Sequence, residues 1–319
     1  MSVPEIQDEA ASPRATPQSG RVLAVLNPKA GSAAGEAIHK ALTSSCARGD
    51  NQLEIHETKD SEDLSSLIRD RMTKGVDLVV ACGGDGTVGA VANALVGTNT
   101  LLGIVPMGTA NVLARELEIP LELGAACRLL VGEHDVATID AMRVHGRHYL
   151  TQVGVGLDAL MIRDTPAARK RRFGKAAYLW TAAKHLFGHQ PQRFFLEIDG
   201  KARKTRASQV IVANVGTLGQ PPFRWGPDIR VDDGMLDVCV VKAKTLLHYG
   251  ALFWHVVTGK HRADPNVRYD RARHSVAITS NKPTLVQADG EVLGETPIRI
   301  EVVPGALRVI VPKGRNKGV

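Results

Sequence analysis

The sequence predicts two unlike halves, an N-terminal α/β domain built on a parallel sheet and a C-terminal antiparallel β-sandwich. Three observations carry this. Between residues 21 and 117, apolar runs of strand length alternate with helical patterns, the signature of strands joined by crossover helices. After about Val136 helical patterns become sparse, and short β-like runs follow one another between turn signals such as Asp199-Gly200, Asp233-Gly234 and Pro304-Gly305. At 319 residues the chain exceeds the usual single domain, and with 44% hydrophobic residues it fills two cores. The expected division is a disordered tail over 1–20, rich in acidic residues and then in Ser, Pro and Ala, an α/β domain over 21–136 and a β domain over 137–303. The C-terminal end, about 304–319, is free to return to the first domain.

The first apolar run, Arg21 to Leu26, ends at Asn27-Pro28-Lys29-Ala30-Gly31-Ser32, and a helical segment follows to about Arg48. A second strand, Leu53 to Thr58, leads to the helix start Ser61-Glu62-Asp63. Leu64, Leu67, Ile68 and Met72 then share one face, and Gly75 lies past the end. A third strand, Asp77 to Cys82, feeds Gly83-Gly84-Asp85-Gly86-Thr87 and a helix with Val88, Val91, Ala92 and Leu95 on one side. The fourth, Leu101 to Val105, is closed by Pro106-Met107-Gly108-Thr109-Ala110-Asn111 and a short helix to about Leu117. Loops that leave the carboxyl ends of parallel strands converge on one edge, where ligands bind. That places Asn27 to Ser32, Thr58, Gly83 to Thr87 and Gly108 to Asn111 together.

The glycine turn sets the chemistry. Backbone N–H groups at the positive end of a helix, with no Cβ in the way, suit a nucleotide phosphate. Asp85 in the middle of such a turn would repel the phosphate unless a cation stands between them, and the expected mediator is Mg²⁺.

In the second half, β-like runs cover Ala137–Val144, Tyr149–Val155, Phe194–Ile198, Gln209–Val215, Leu236–Val241, Ser275–Thr279, Thr284–Gln287, Ile298–Val302 and Leu307–Val311. Two interruptions stand out. The basic cluster Arg169 to Lys175 feeds an aromatic, apolar helix over 176–187. A second helical stretch, Leu246 to Val257, carries Tyr249, Phe253 and Trp254, with Lys260, His261 and Arg262 just beyond. Basic residues beside amphipathic aromatic helices suit an anionic membrane surface. No nucleic-acid fold motif accompanies them, so nucleic acid is not expected as a partner. Two acidic turns complete the set. Asp289-Gly290-Glu291 puts two carboxylates on one bend, suited to accepting a hydroxyl proton. Asp233, with the carbonyls of Arg230 and Met235, suits a hard cation such as Mg²⁺, and an ordinary hairpin turn explains the same spacing.

Composition narrows the partners. Cys46, Cys82, Cys127 and Cys239 form no CxxC pair, so neither a zinc site nor a disulfide framework is expected. No stretch approaches the roughly 20 apolar residues of a spanning helix, and the N-terminal residues lack the apolar core of a signal peptide. The net charge of +7 points to an anionic partner.

Taken together, Asn27 to Ser32, Gly83 to Thr87, Pro106 to Asn111 and Asp289 to Glu291 resemble, in order, the motifs of the diacylglycerol kinase catalytic family. That family includes bacterial lipid kinases and sphingosine kinases and is related to NAD kinases. The resemblance implies a nucleotide-binding domain, a β-sandwich lipid-binding domain and an active site between them. It implies that Asn27, Thr58, Gly83, Gly84, Asp85, Gly86, Thr87, Gly108, Thr109 and Asn111 hold ATP. Asp85 then acts through Mg²⁺, Asp289 and Glu291 are the catalytic carboxylates, and Arg230, Asp233 and Met235 form a structural Mg²⁺ loop. The expected reaction is phosphoryl transfer from ATP to a lipid hydroxyl, on diacylglycerol or a sphingoid or ceramide-type acceptor, at the cytoplasmic face of a membrane. Two alternatives stay open: an NAD kinase-like enzyme and a catalytically silent nucleotide-responsive module. The sequence also leaves a homodimer open. It departs from family members at Gly89 and Ala90, where Asn-Glu often stands, and at Val112, where several bacterial members carry Asp.

Overall fold

Strand β1 (Arg21–Leu26) lies between β2 (Gln52–Glu57) and β3 (Leu78–Gly83), and β4 (Leu101–Pro106) follows β3, all four parallel. The residues of β1, β3 and β4 are buried on both faces, Arg21 excepted, whereas β2 at the edge has none buried. Leu23, Val25, Val79 and Ala81 pack toward α2 (Leu64–Thr73) and α3 (Asp85–Leu95). Val22, Ala24, Leu26, Val80 and Cys82 pack toward α1 (Ser32–Cys46) and α5 (Leu123–Val131). Continuous apolar runs of this kind fit strands covered by helices on both sides. Between β4 and α5 the short helix α4 (Val112–Glu116) carries the chain away from the sheet edge. This structure is a computed structural model that describes residues 20–28, 32–47, 51–59, 62–164, 191–218, 223–226, 228–260, 262 and 264–315. The predicted tail, the basic cluster Arg169 to Lys175 and the helix over 176–187 lie outside the described residues, tail residue Gly20 excepted.

The second half contributes β5 (His134–Val144), β6 (Arg147–Tyr149), β7 (Gln152–Gly156), α6 (Leu157–Asp164), β8 (Gln192–Ile198), β9 (Lys201–Ala207), β10 (Gln209–Ala213) and β11 (Leu236–Val241). After α7 (Leu246–Val257) come β12 (Val267–Ala272), β13 (Ser275–Ser280), β14 (Leu285–Ala288), β15 (Glu291–Glu295) and β16 (Ile298–Pro312). Six of these strands form an antiparallel sheet in the order β12-β11-β10-β7-β14-β15. The others do not form a separate sheet. They extend the parallel one into a ten-stranded sheet, β2-β1-β3-β4-β16-β13-β8-β9, with β5 paired to β16 and β6 to β5. The sandwich core, with Met142, Val153, Val155, Phe194, Val212, Val238, Ile278 and Ile300, fills the space between the far half of that long sheet and the six-stranded one. The predicted pairing of a parallel α/β half with an antiparallel sandwich is present.

The joint is β16. The sequence reads Ile298–Val302 and Leu307–Val311 as two strands parted by Pro304-Gly305, yet the chain runs through as one strand of 15 residues. Its first part pairs antiparallel with β13, and Arg308 and Val309 pair parallel with β4. The Pro-Gly signal appears instead as a register shift against β5 between Val303 and Leu307, where Gly305 takes φ +58°. A bulge of this sort bends a strand without ending it.

Ile300 lies in the sandwich core and Ile310 in the α/β core, both on this strand. Ile300→Ala and Ile310→Ala are each expected to lower one shared urea-unfolding transition, by about 2–5 kcal/mol. Two separate transitions, each answering to one variant only, would contradict a fold that the shared strand makes cooperative.

Candidate active site

The loops from the four parallel strands meet as predicted for a parallel edge. The N–H of Asn27 donates to Cys82 O at 3.2 Å, and that of Thr58 to Leu26 O at 2.8 Å, so each loop leaves beside its neighbouring strand. Asn27 Nδ2 reaches Thr87 Oγ1 at 3.4 Å. The glycines of the turns are required by close approach. A Cβ on Gly83 would stand 2.4 Å from Thr87 Oγ1, and one on Gly108 would stand 2.6 Å from Gly84 Cα. The two glycine turns therefore touch backbone to backbone, and Met107 N–H donates to Gly83 O at 2.9 Å. Asn111, buried and at φ +47°, closes the second turn: its side chain accepts from Gly108 N–H and donates to Gly108 O, both at 2.8 Å. Both ends of that side chain thus hold the loop, Thr109 is exposed, and Gly86 has open space around it.

Asp85 is the first residue of α3, whose N-cap, Gly84, offers no side chain to the free N–H groups of the first turn. The helix start is left open to an anion. The Asp85 carboxylate instead accepts from Asn111 N–H at 3.0 Å and Val112 N–H at 2.6 Å, fastening the two turns together. Burial pushes its carboxyl above the usual carboxylate range, the two N–H groups oppose that shift, and the charge of Asp289 adds to it. Asp289, on the acidic turn of the other half, is thus one of the charges felt at Asp85.

Asp289 and Gly290 both take positive φ, 46° and 88°, as the turn between β14 and β15 requires. The carboxylate of Asp289 accepts from Leu150 N–H at 2.7 Å, Thr151 N–H at 3.0 Å, Thr151 Oγ1 at 2.6 Å and Gln152 N–H at 3.1 Å. Glu291 is exposed, with Arg147 Nη1 at 3.6 Å. The two halves are clamped here by Asn93 of α3, which exchanges 2.8 Å hydrogen bonds with both the N–H and the carbonyl of His148 on β6. Gly89 sits one turn before Asn93, and Asn93 Nδ2 also donates to Gly89 O at 2.9 Å.

Several residues of the site escaped sequence reasoning. Glu116, at the end of α4, accepts from Thr217 N–H at 3.0 Å and pairs with Arg224 at 3.0 Å, tying the first domain to the loop after β10. Behind Asp289 lies a buried carboxyl, Asp158. It accepts from the side-chain amides of Gln287 and, at 3.3 Å, Gln152. Gln287 Oε1 in turn accepts from Gly290 N–H at 3.0 Å, and Trp225 Nε1 donates to Gln152 Oε1 at 2.6 Å. A Cβ on Gly154 would fall 2.2 Å from Asp158 Oδ2, so that glycine makes the room the carboxyl occupies. The only sequence signal for this group is an acid inside an apolar run, Val153 to Leu160.

The acidic turn over 230–235 lies apart from this cluster. Asp233 Oδ1 accepts from Met235 N–H at 3.1 Å, and Arg230 Nε pairs with Asp232 at 3.2 Å. Asp140, also missed, accepts from Gly234 N–H at 2.7 Å and Gly305 N–H at 2.8 Å, so it pins this turn to the bend in β16. Burial raises the carboxyls of both Asp140 and Asp233. Among the described residues, no group of three or more His, Cys, Asp or Glu side chains is arranged to hold a metal ion.

Burial pushes the Asp158 carboxyl up to about 6, with the Gln287 amide opposing, against 3.8 for the ordinary group. The folded chain therefore holds a proton that the unfolded chain has lost between those values. Stability from this group is present at low pH and is lost as pH rises through that window. In urea unfolding, Asp158→Asn is expected to remove a loss of roughly 3 kcal/mol that the unmodified protein suffers between pH 4 and pH 7. Equal pH slopes for the two proteins would contradict it.

Comparison with known proteins accounts for both halves. Residues 21–144 match the diacylglycerol kinase catalytic domain, and residues 151–311 match the YegS C-terminal NAD kinase beta sandwich-like domain. A diacylglycerol kinase of Mycobacterium tuberculosis is 29% identical over 308 residues, 92% of this chain and 96% of that protein. An uncharacterized protein of Synechocystis is 28% identical over 243 residues, 75% of this chain, and the chain spans 56% of its length. The crystal structure of a diacylglycerol kinase from Bacillus anthracis superposes with a TM-score of 0.77 at 27% identity, covering 92% of this chain and 98% of that one. With both domains matched in order, the chain belongs to the diacylglycerol kinase catalytic family of lipid kinases.

Proposed function

We propose that the protein transfers the γ-phosphoryl group of ATP, with Mg²⁺, to the hydroxyl of a membrane lipid at the cytoplasmic face of the membrane. The observation that carries this reading is a helix start left uncapped at Gly84, with the buried Asp85 carboxylate on its first residue and the same helix clamped through Asn93 to His148 of the other half. Such a place favours a bound cation and an anionic phosphate chain together.

The residues fit that pair of ligands. Each Asp85 oxygen takes one backbone N–H, which leaves lone pairs over, and among the described residues no Lys or Arg side chain pairs with it. Asp85 is the residue that would hold the Mg²⁺, directly or through water, and the ion supplies neutralisation of phosphate charge. The N–H groups of Gly83 to Thr87, with Asn27 and the half-buried Thr58, are the donors for the phosphates and ribose, and the exposed Thr109 stands at the same edge. The second acidic turn, Asp233 with the carbonyls of Arg230 and Met235, is read as a structural Mg²⁺ loop. Its support is the raised Asp233 and Asp140 carboxyls side by side.

The acceptor hydroxyl oxygen attacks the γ-phosphorus in line, the bond to the β-phosphate oxygen breaks, and ADP leaves. Phosphoryl transfer asks for position and charge more than for covalent chemistry. The hydroxyl proton goes to Glu291 in this reading. Four donors already converge on Asp289, which makes that carboxylate a brace for residues 150–152, while Glu291 is exposed, with Arg147 Nη1 at 3.6 Å beside it, and is the carboxylate left to take a proton. The exposed apolar side chains of Leu218, Leu247, Phe253 and Trp254 suit a lipid acceptor better than a soluble metabolite.

Incubating the purified protein with labelled ATP and a total lipid extract is expected to give a phosphorylated lipid, and its identification names the acceptor. Asp85→Ala is expected to abolish that product and, with the Asn111 and Val112 N–H groups left without their acceptor, to cost about 1–3 kcal/mol of stability. Glu291→Gln is expected to lower kcat by about 10²–10⁴ with an unchanged unfolding midpoint. Asp289→Asn sets an amide against Leu150 N–H, so it is expected to cost about 1–3 kcal/mol of stability as well as activity. Full turnover by the Glu291 variant would move the base role elsewhere.

A further inference from the structure

Helix α7 carries no Asp, Glu, Lys or Arg. Its exposed residues are large and apolar: Leu247 is 84% exposed, Trp254 65%, Phe253 58% and Val257 37%. At about 100° per residue these four, with the exposed Gly250 and Ala251, share one side covering nearly half the helix circumference. The other side is held to the protein. His255 Nδ1 meets Asp264 at 2.9 Å, and Tyr249, Leu252 and Val256 are half-buried. So the helix is anchored by one face and offers the other to its surroundings.

The patch reaches the rim of the active site. Phe253 stacks on Phe223 with ring centres 5.8 Å apart, and Leu218, itself exposed, donates its N–H to Phe223 O at 2.9 Å. The neighbours of those two residues, Thr217 and Arg224, are the ones held by Glu116 of α4. α4 begins at Val112, whose N–H donates to Asp85. The exposed apolar surface is thus continuous with the loop that borders the cleft.

We infer that this face of α7, with Leu218 and Phe223, is the surface by which the protein seats itself on an anionic lipid bilayer, with the cleft at its border. Charge selects that occupant. Lys244 and Lys260, both exposed, bracket the two ends of the helix, Arg262 lies beyond, and the chain carries +7 overall. An aromatic, apolar face with cations at its ends matches the boundary between headgroups and acyl chains. A second copy packed face to face would bring these lysines against one another. The run Arg169 to Lys175 bears the same sign, which argues against the segment that contains it as the cover. The inference rests on the reading of the acceptor as a bilayer lipid, and it is tested without turnover.

Binding to phosphatidylcholine vesicles with and without phosphatidylglycerol, in the absence of nucleotide, is the experiment. The unmodified protein is expected to bind the phosphatidylglycerol vesicles. The pair Leu247→Glu and Trp254→Glu is expected to weaken this at least about a hundredfold, as losing two buried apolar side chains implies. Lys244→Glu with Lys260→Glu is expected to weaken binding and flatten its salt dependence. Unfolding midpoints, and phosphorylation of a detergent-dispersed acceptor, are expected to stay unchanged in all these variants. Unaltered vesicle binding by the Leu247 and Trp254 variant overturns the proposal. So does a dimer in light scattering that this variant dissociates while vesicle binding persists. Vesicle binding lost with the patch, in a protein that phosphorylates no lipid, supports the surface and faults the kinase reading instead.

Discussion

A buried carboxylate with no basic partner among the described residues, Asp85, is the constraint around which the site is arranged. Asp85 and Asp289 come from different domains, and each is fixed by backbone N–H groups rather than by a basic side chain. Burying an acid costs free energy unless something positive joins it. The fold bears that cost through devices on both sides. The touching glycine turns hold Asp85, the turn at positive φ holds Asp289, and the Asn93–His148 clamp keeps the halves from relaxing apart. A site built this way is electrostatically unfinished, and the cation and phosphate chain proposed above are what would complete it.

Much of the α/β half was legible because its signals are local. Apolar runs buried on both faces, glycine turns at their ends and helix faces such as Leu64, Leu67, Ile68 and Met72 all follow from neighbours in sequence. Strand β9, Lys-Ala-Arg-Lys-Thr-Arg-Ala, was not legible. It is the last strand of the long sheet, and in it only Ala207 is buried, so no apolar alternation marks it, and its charges suit an edge that must not recruit other strands. The single strand β16 was hidden by Pro304-Gly305. Those residues read as a turn locally, but the carboxylate of Asp140, far away in sequence, binds the Gly305 N–H and turns the signal into a bend.

The site divides the same way. Its glycines and acids could be picked out because phosphate and proton chemistry demand particular residue types in short order. The groups that position them could not. Glu116 with Arg224, and Asp158 with Gln287, are pairs separated by long stretches of chain, and an isolated Glu or Gln carries no sign of its partner. Asn111 shows the converse. Its place in a motif suggested a ligand contact, whereas its side chain spends both polar ends on Gly108.

The route of β16 has a consequence for how the protein is born. This strand leaves the ribosome after every other described element, yet it fills the gap between β4 and β13 and runs the length of β5. Until it emerges, β4, β5 and β13 lack this pairing partner, and the long sheet stays in pieces. Completion of both halves therefore waits on this one strand, and its insertion joins them in a single event.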